Sequence, residues 1–289
     1  MQLTFSQVYI GAVNKLYQLG SGLKLEVVLE DGPAPDSPFC TRLELNSTYF
    51  DCPPRVGISI TQRLSFSNVF FHYQVDLSMT DNVNKALVID YNNSRLISCG
   101  SLFQGICTMR SLGNISLVDE IVEEFIVANT AEASTVAFIA TKRSRAIRKS
   151  GPIQLKIFLH DSKPLCSSQV LYVGVTHTSN SPYRSEVPSV SSRSLESENL
   201  LEAANVSINS GTRMFFNSLA RDRYPVNYIY GFSSGGFSYF LTTQKLASSS
   251  PFHSRLVRVC QSDPDYYSYT EVPIECAGNF LKLFITICY

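Results

Sequence analysis

Gly231-Phe-Ser233-Ser-Gly235 is the segment whose residue types and spacing come nearest to covalent chemistry. It fits G-x-S-x-G, the sharp turn that lifts a nucleophilic serine between a strand and a helix. The residues after it deny that helix. Phe237-Ser-Tyr-Phe-Leu-Thr-Thr243 carries the period-2 aromatics of a strand. The serine is therefore read as part of a hairpin tip, and a Ser233 hydrolase is kept only as a minor alternative. His72, His160, His177 and His253 stand in no metal-ligand spacing, so a structural role is their default. Gly20-Ser-Gly22 lacks the third glycine and the following helix of a dinucleotide loop. The carboxylates are scattered, with no pair set for acid–base work. We assign no catalytic residue, no metal and no cofactor, and expect no enzyme activity.

Lys142-Arg-Ser-Arg-Ala-Ile-Arg148-Lys149 is the dense basic run of the chain. A nuclear signal, a heparin patch and a processing site share this composition. The run has no aromatic partners on which bases could stack. It is read as a solvated loop. Lys+Arg and Asp+Glu are both 24, so the chain has no global pull on polyanions and nucleic-acid binding is not expected.

Cysteines lie at 40, 52, 99, 107, 166, 260, 276 and 288, without a C-x-x-C. Zinc-ribbon and thioredoxin readings fail on that spacing. Cys40 and Cys52 flank a polar loop, and Cys99 and Cys107 flank Gly100 to Ile106. In an oxidising compartment each closure would stabilise the fold by about 2–4 kcal/mol. Buried free thiols are the alternative. Glycosylation sequons stand at Asn46, Asn92, Asn114 and Asn205. Asn92 is the best placed, in an Asn-Asn turn between two apolar runs, where a glycan would project into water. Cysteines and sequons together favour an extracellular domain.

These groups need a scaffold. Of 289 residues, 44% are apolar, enough for a real core and too many for a disordered chain. Only 17% are charged, against roughly 25% in ordinary soluble domains, so solubility must lean on Ser, Thr, Asn and attached sugar. No run approaches the ~20 apolar residues of a spanning helix. The first residues lack the basic start and apolar stretch of a secretion signal. An oxidised, glycosylated chain without a signal is expected to be a fragment or to have lost its true start.

Strand-like runs recur between turn residues: Val8–Val13, Lys15–Leu19, Leu23–Leu29, Ala86–Tyr91, Arg95–Ser98, Val170–Val175, Asn227–Phe232, Phe237–Thr243, Arg255–Val259 and Tyr266–Val272. Two hairpins stand out, one at Asn92-Asn93 and one at Ser233 to Gly236. Tyr-x-Gly recurs at Tyr9 to Gly11 and Tyr172 to Gly174. Many short strands with a recurring strand motif indicate a β-propeller, with a sandwich as runner-up. One segment dissents. Leu117, Ile121 and Phe125, with Val118, Val122 and Ile126, have helical spacing across Ser116 to Asn129, where a helix or an irregular connection is expected.

Several stretches resemble the sema domain of plexins, cell-surface receptors for semaphorins. They are Val8 to Leu19, Thr80 to Lys85, Leu87 to Tyr91, Ser98 to Cys107, Leu171 to Thr176 with Tyr183 to Leu195, Asn227 to Thr243, and Arg258 to Cys276. The wording is closest to invertebrate plexins of the A subfamily. The resemblance implies an all-β, seven-bladed propeller, of which residues 1–276 are a partial copy, incomplete at the C-terminus. It implies disulfides Cys40–Cys52 and Cys99–Cys107, with the partners of Cys260 and Cys276 further downstream, beyond this chain. Segments 53–79 and 141–166 look inserted, and 277–289 departs from the family pattern. The implied function is semaphorin recognition at the cell surface in axon guidance, with homodimer or co-receptor contacts through the full-length receptor. A semaphorin-type ligand sharing the fold is the alternative. The contact surface is expected within Asn205 to Arg223, where Arg213, Phe215 and Phe216 have anchor residue types. At least one of the two phenylalanines is expected to be core.

Overall fold

The structure is a computed structural model that describes residues 7–38, 40–41, 50–51, 60–62, 71–73, 77–144, 166–181, 183–203, 212–221, 223–245 and 250–274. The fold is all-β apart from short helical turns. Strands β1 (Val8–Gly11), β2 (Lys15–Leu19) and β3 (Leu25–Glu30) form a three-stranded meander. Strand β4 (Ala34–Asp36) follows. Three small pieces are paired outside the main sheets: β5 (Cys40–Thr41) with β6 (Phe50–Asp51), β7 (Ile60–Gln62) with β8 (Phe71–Tyr73), and β4 with β9 (Ser78–Thr80).

Three four-stranded meanders come next. The second sheet holds β10 (Asn84–Asp90), β11 (Arg95–Gly100), β12 (Cys107–Ser111) and β13 (Val118–Val122). The third holds β14 (Thr135–Ser144), β15 (Cys166–Val175), β16 (Val190–Ser194) and β17 (Thr212–Met214). After a single helical turn, α1 (Ser218–Arg221), the fourth holds β18 (Val226–Ser234), β19 (Phe237–Lys245), β20 (Phe252–Cys260) and β21 (Thr270–Pro273). All pairings within these sheets are antiparallel.

The first strand of each sheet approaches the first strand of the next: β1 meets β10, β10 meets β14, and β14 meets β18. That is blade stacking about a common centre. The core lies between successive sheets. Leu16, Leu96, Leu112 and Ile115 fill the first gap. Ile97, Met109, Phe125, Leu171 and Val173 fill the second. Val170, Tyr172, Tyr228, Phe240 and Val257 fill the third.

The recurring glycines mark where these sheets come closest. A Cβ on Gly11 would overlap the Asn84 side chain, and one on Gly174 would overlap the Tyr228 ring. Residues 118–122, expected as a helix or irregular connection, form instead the outer strand β13, paired with β12 through a bulge. The apolar stripe is split rather than shared: Leu117 and Ile121 are exposed, whereas Phe125 and Ile126 are buried. Sheet pairing of the backbone and burial of the second half against the next blade override the 3.6-residue spacing. The basic run also differs from expectation at its start. Lys142 is buried in β14, opposite Ser168 of β15. The run beyond Ser144 lies outside the described residues.

Candidate functional site

The fourth strand of the third sheet carries the predicted anchors. Strand β17 pairs with β16 as Val190–Met214, Ser191–Arg213 and Ser192–Thr212. Strand alternation then sends neighbours to opposite faces. Thr212 is buried, and its backbone N–H donates to the Ser192 hydroxyl oxygen at 3.1 Å. Arg213 points out. The turn after β17 fixes the two phenylalanines differently. The Phe216 N–H donates to Ser189 Oγ at 3.2 Å, and its ring meets Tyr269 edge-on at 6.0 Å. Phe215 is 41% exposed. The structure thus separates the pair: Phe215 is a surface residue, and Phe216 packs between the third and fourth sheets.

Two guanidinium groups flank Phe215. Arg213 lies 5.9 Å from the ring centroid and Arg221, from α1, lies 5.3 Å away. Arg221 is held in place, since its Nε donates to the Phe216 carbonyl at 2.9 Å. A ring so placed attracts cations through its quadrupole and offers an apolar plate between two charges. Beside it opens a cavity of about 530 Å³, whose walls include Phe125, Pro188, Arg193, Arg213 and Phe215. Its floor is polar but satisfied. Buried Arg193 donates to Glu124 Oε2 at 2.7 Å, to the Leu201 carbonyl at 2.8 Å and to Ser191 Oγ at 3.2 Å. Burial lowers the pKa of Arg193, while Glu124 opposes that shift. Arg193, Glu124 and Arg221 were invisible as site residues in the sequence. Ser-Ser-Arg-Ser carries no signal that its arginine is buried.

The serine motif takes its expected place in a hairpin. Ser233 lies within β18, directly opposite Ser238 of β19, and Gly235-Gly236 form the two-residue turn at φ 58° and 85°. The strand after the turn removes the strained strand–helix junction a serine nucleophile needs. Cys99 and Cys107 are disulfide-bonded, and they face each other across β11 and β12. Cys52 lies outside the described residues, so Cys40–Cys52 does too. Cys260 is disulfide-bonded within this chain, which corrects the expectation of a partner beyond it. Asn92 is exposed in its turn, and its Nδ2 donates to Gln169 Oε1 at 2.7 Å. Asn114 is half-buried, with its Oδ1 accepting from the Ser116 N–H at 2.9 Å. Asn46 and Asn205 lie outside the described residues.

No family model matches the chain. Among individual proteins the match is long. Plexin-A4 of Homo sapiens is 31% identical over 282 residues, covering 93% of this chain and 13% of the relative. Plexin-A2 of Homo sapiens is 30% identical over 285 residues, with the same coverages of 93% and 13%. The solved full extracellular region of plexin A4 shares 26% identity and a TM-score of 0.59, over 96% of this chain and 27% of that one. This chain is a homologue of the A-type plexins. It spans about 13% of the length of these curated plexins. The plexin match and the blade stacking agree on a sema-type β-propeller fold. Drosophila Semaphorin 2a shares that fold at a TM-score of 0.53 and 13% identity, covering 96% of this chain and 40% of that one. Against the semaphorin the likeness is one of fold. Against the plexins it extends to sequence.

Proposed function

We propose that this chain is the ligand-binding region of a plexin-type semaphorin receptor, displayed outside the cell and acting in semaphorin–plexin signalling and axon guidance. The observation that carries this reading is the exposed Phe215, flanked by Arg213 and Arg221 at the edge of the third blade, in a chain homologous to plexin extracellular regions. Such a plate beside a satisfied cavity suits protein recognition. Aromatic and arginine anchors supply most of the affinity of protein interfaces, inside a polar rim. A semaphorin-type ligand would share the fold, yet 26% identity to a plexin extracellular region against 13% to a semaphorin, each over 96% of this chain, favours the receptor.

Within this reading, residues 1–276 are a portion of a sema domain, and segments 53–79 and 141–166 are insertions. The second insertion would emerge from the β14–β15 hairpin, whose register closes at Ser144–Cys166. Residues 277–289 form an atypical tail. Asn46, Asn92, Asn114 and Asn205 carry glycans. Homodimer and co-receptor contacts belong to the full-length receptor. The surface is tested by Arg213→Glu and Phe215→Ala in a full-length receptor containing this region. We expect each to weaken semaphorin binding to expressing cells by tenfold or more, the loss typical of an interface hot spot of about 2 kcal/mol. Undiminished binding at normal surface expression would remove this plate from the proposal.

A further inference from the structure

Three tyrosines stand in the loop that joins β20 to β21, at Tyr266, Tyr267 and Tyr269. The structure places them differently. Tyr266 is 4% exposed, and its hydroxyl donates to the Thr212 carbonyl of β17 at 3.3 Å. Tyr269 sets its ring edge-on to Phe216, and its hydroxyl donates to Glu271 Oε1. Tyr267 is 89% exposed, more than any other aromatic side chain among the described residues, and its hydroxyl has no hydrogen-bond partner among them.

Hydrogen bonds within the loop hold Tyr267 in that position. The Asp263 carboxylate accepts from the Asp265 N–H at 3.2 Å and from the Ser268 N–H at 2.6 Å. Ser268 Oγ accepts from the Cys260 N–H at 2.9 Å. Tyr266 takes a left-handed φ of 60°, and the Tyr269 N–H donates to the Tyr266 carbonyl at 3.0 Å. That bond closes a turn with Tyr267 and Ser268 at its two corners. The phenol of Tyr267 is thus presented to solvent at the tip of an ordered turn, with Tyr266 and Tyr269 fastening the turn to the third sheet.

The setting is acidic, in a chain whose charges balance overall. Between Arg258 and Lys282 the sequence holds Asp263, Asp265, Glu271 and Glu275 and no lysine or arginine. Asp265 is exposed, two residues before Tyr267. The cation that faces Asp265 is Lys142, itself buried, and Glu271 is paired with Arg255 at 3.1 Å. An enzyme that takes a polyanionic donor presents a cationic cleft. Such a cleft attracts an acceptor flanked by carboxylates and free of nearby surface cations.

We propose that Tyr267 is a site of tyrosine O-sulfation. The inference goes beyond the receptor reading but rests on its extracellular display, because sulfuryl transfer to tyrosine takes place in the secretory pathway. The donor is phosphoadenylyl sulfate. The Tyr267 phenol oxygen attacks the donor's sulfur and forms a new O–S bond. The S–O bond to the donor's phosphate breaks, and its electron pair leaves with the nucleotide. The phenolic proton passes to a base of the transferase, and nothing is oxidised or reduced. The product is a sulfate ester, a fixed negative charge with several acceptor oxygens at the tip of the loop. A cationic partner surface would meet it through charge-assisted hydrogen bonds.

Cells expressing a full-length receptor that contains this region, grown with radioactive sulfate, test the proposal. Receptor captured from the cell surface is stripped of N-linked sugar, reduced and digested with trypsin. Cleavage after Arg258 frees the loop in a peptide that starts at Val259. Alkaline hydrolysis of that peptide is expected to yield labelled sulfotyrosine. Tyr267→Phe should lose the label to background, while Tyr269→Phe keeps it. Asp265→Asn should lower it several-fold at an equal amount of surface receptor. Fragmentation of the wild-type peptide in a mass spectrometer locates the ester without any variant, and Tyr267 is the expected position. An unlabelled peptide from receptor that has reached the surface overturns sulfation and leaves the receptor reading standing. Label that survives Tyr267→Phe, or radioactive phosphate in place of sulfate, overturns it too. A receptor found only inside the cell overturns the display on which both readings depend.

Discussion

Glycine at 174 and lysine at 142 show how much a single residue can be asked to do at a blade interface. A Cβ at Gly174 would overlap the ring of buried Tyr228, across the gap between the third and fourth sheets. Gly174→Ala is expected to cost about 1–3 kcal/mol, the usual range for overpacking a filled core. A thermal midpoint unchanged from wild type would show that the gap is looser than the structure has it. Lys142 is buried in β14, and burial pushes its ammonium down to about 8, against an opposing pull from Asp265. The unfolded chain holds that proton up to its ordinary value of 10.5. Between those limits the folded state binds fewer protons, so stability rises with pH; below 8 the penalty of a buried charge is fully present. Lys142→Met should therefore gain stability at pH 7, and its advantage over wild type should shrink towards pH 10. Lys85 shifts in the same direction by burial, so the difference between the two proteins is the quantity to read. Urea midpoints at pH 7, 8, 9 and 10 measure it, and a gap that stays constant would contradict the assignment.

At the scale of elements, the β11–β12 hairpin is the anchor of the middle of the arc. Cys99 and Cys107 close it, and the loop between them runs through three left-handed residues: Phe103, Gln104 and Gly105, at φ 51°, 69° and 88°. Non-glycine residues reach that region at a cost, which surrounding contacts must offset. Those contacts come from the β4 segment on one side and from the β15–β16 connection on the other. The Phe103 N–H donates to Asp36 Oδ2 at 3.0 Å, and Gln104 Nε2 donates to the Ser37 and Pro38 carbonyls at 3.2 and 3.0 Å. From the other side, buried Arg184 donates to the Gln104 and Val127 carbonyls at 2.9 and 3.1 Å. Burial lowers the Arg184 guanidinium to about 10. Replacing both cysteines by serine frees the unfolded chain and is expected to cost roughly 2–3 kcal/mol, the loop-closure value for so short a loop. A melting temperature that does not fall in the double variant would refute the stabilising role. The pairing of Cys99 with Cys107 was legible in their spacing. The three left-handed residues were not, because only Gly105 announces such a conformation by its type.

Across the whole molecule, stability is close to one-dimensional, since among the described residues each four-stranded sheet packs chiefly on its neighbours through a filled gap. The third gap is built on aromatic contacts: Phe138 on Tyr172 at 5.8 Å, Phe138 on Phe240 at 5.4 Å and Tyr228 on Phe240 at 5.7 Å. Phe240→Ala removes the shared ring and should cost about 3–5 kcal/mol. The effect should be local. Amide exchange is expected to quicken in β14 and β18 to β20 while β10 to β12 keep their protection. Equal acceleration in both regions would show that the arc unfolds as one unit.

Sequence alone determined β1 to β3, β10, β11, β15, β18 to β20 and both hairpins, because period-2 alternation and turn residues act over a few positions; β12, β14, β16 and β17 went unread, and the sema-type order of blades came from the family resemblance. It also named Arg213 and Phe215, whose types suit an anchor. It misread residues 116–129, since helical spacing there arises by chance when half the apolar residues face solvent and half close the next blade. Only the tertiary structure decided which phenylalanine is free. Phe215 and Phe216 are identical in type and adjacent in sequence, and Tyr269, fifty-three residues beyond Phe216, claims one of them. Burial of that kind depends on contacts between separate blades, which no local pattern encodes.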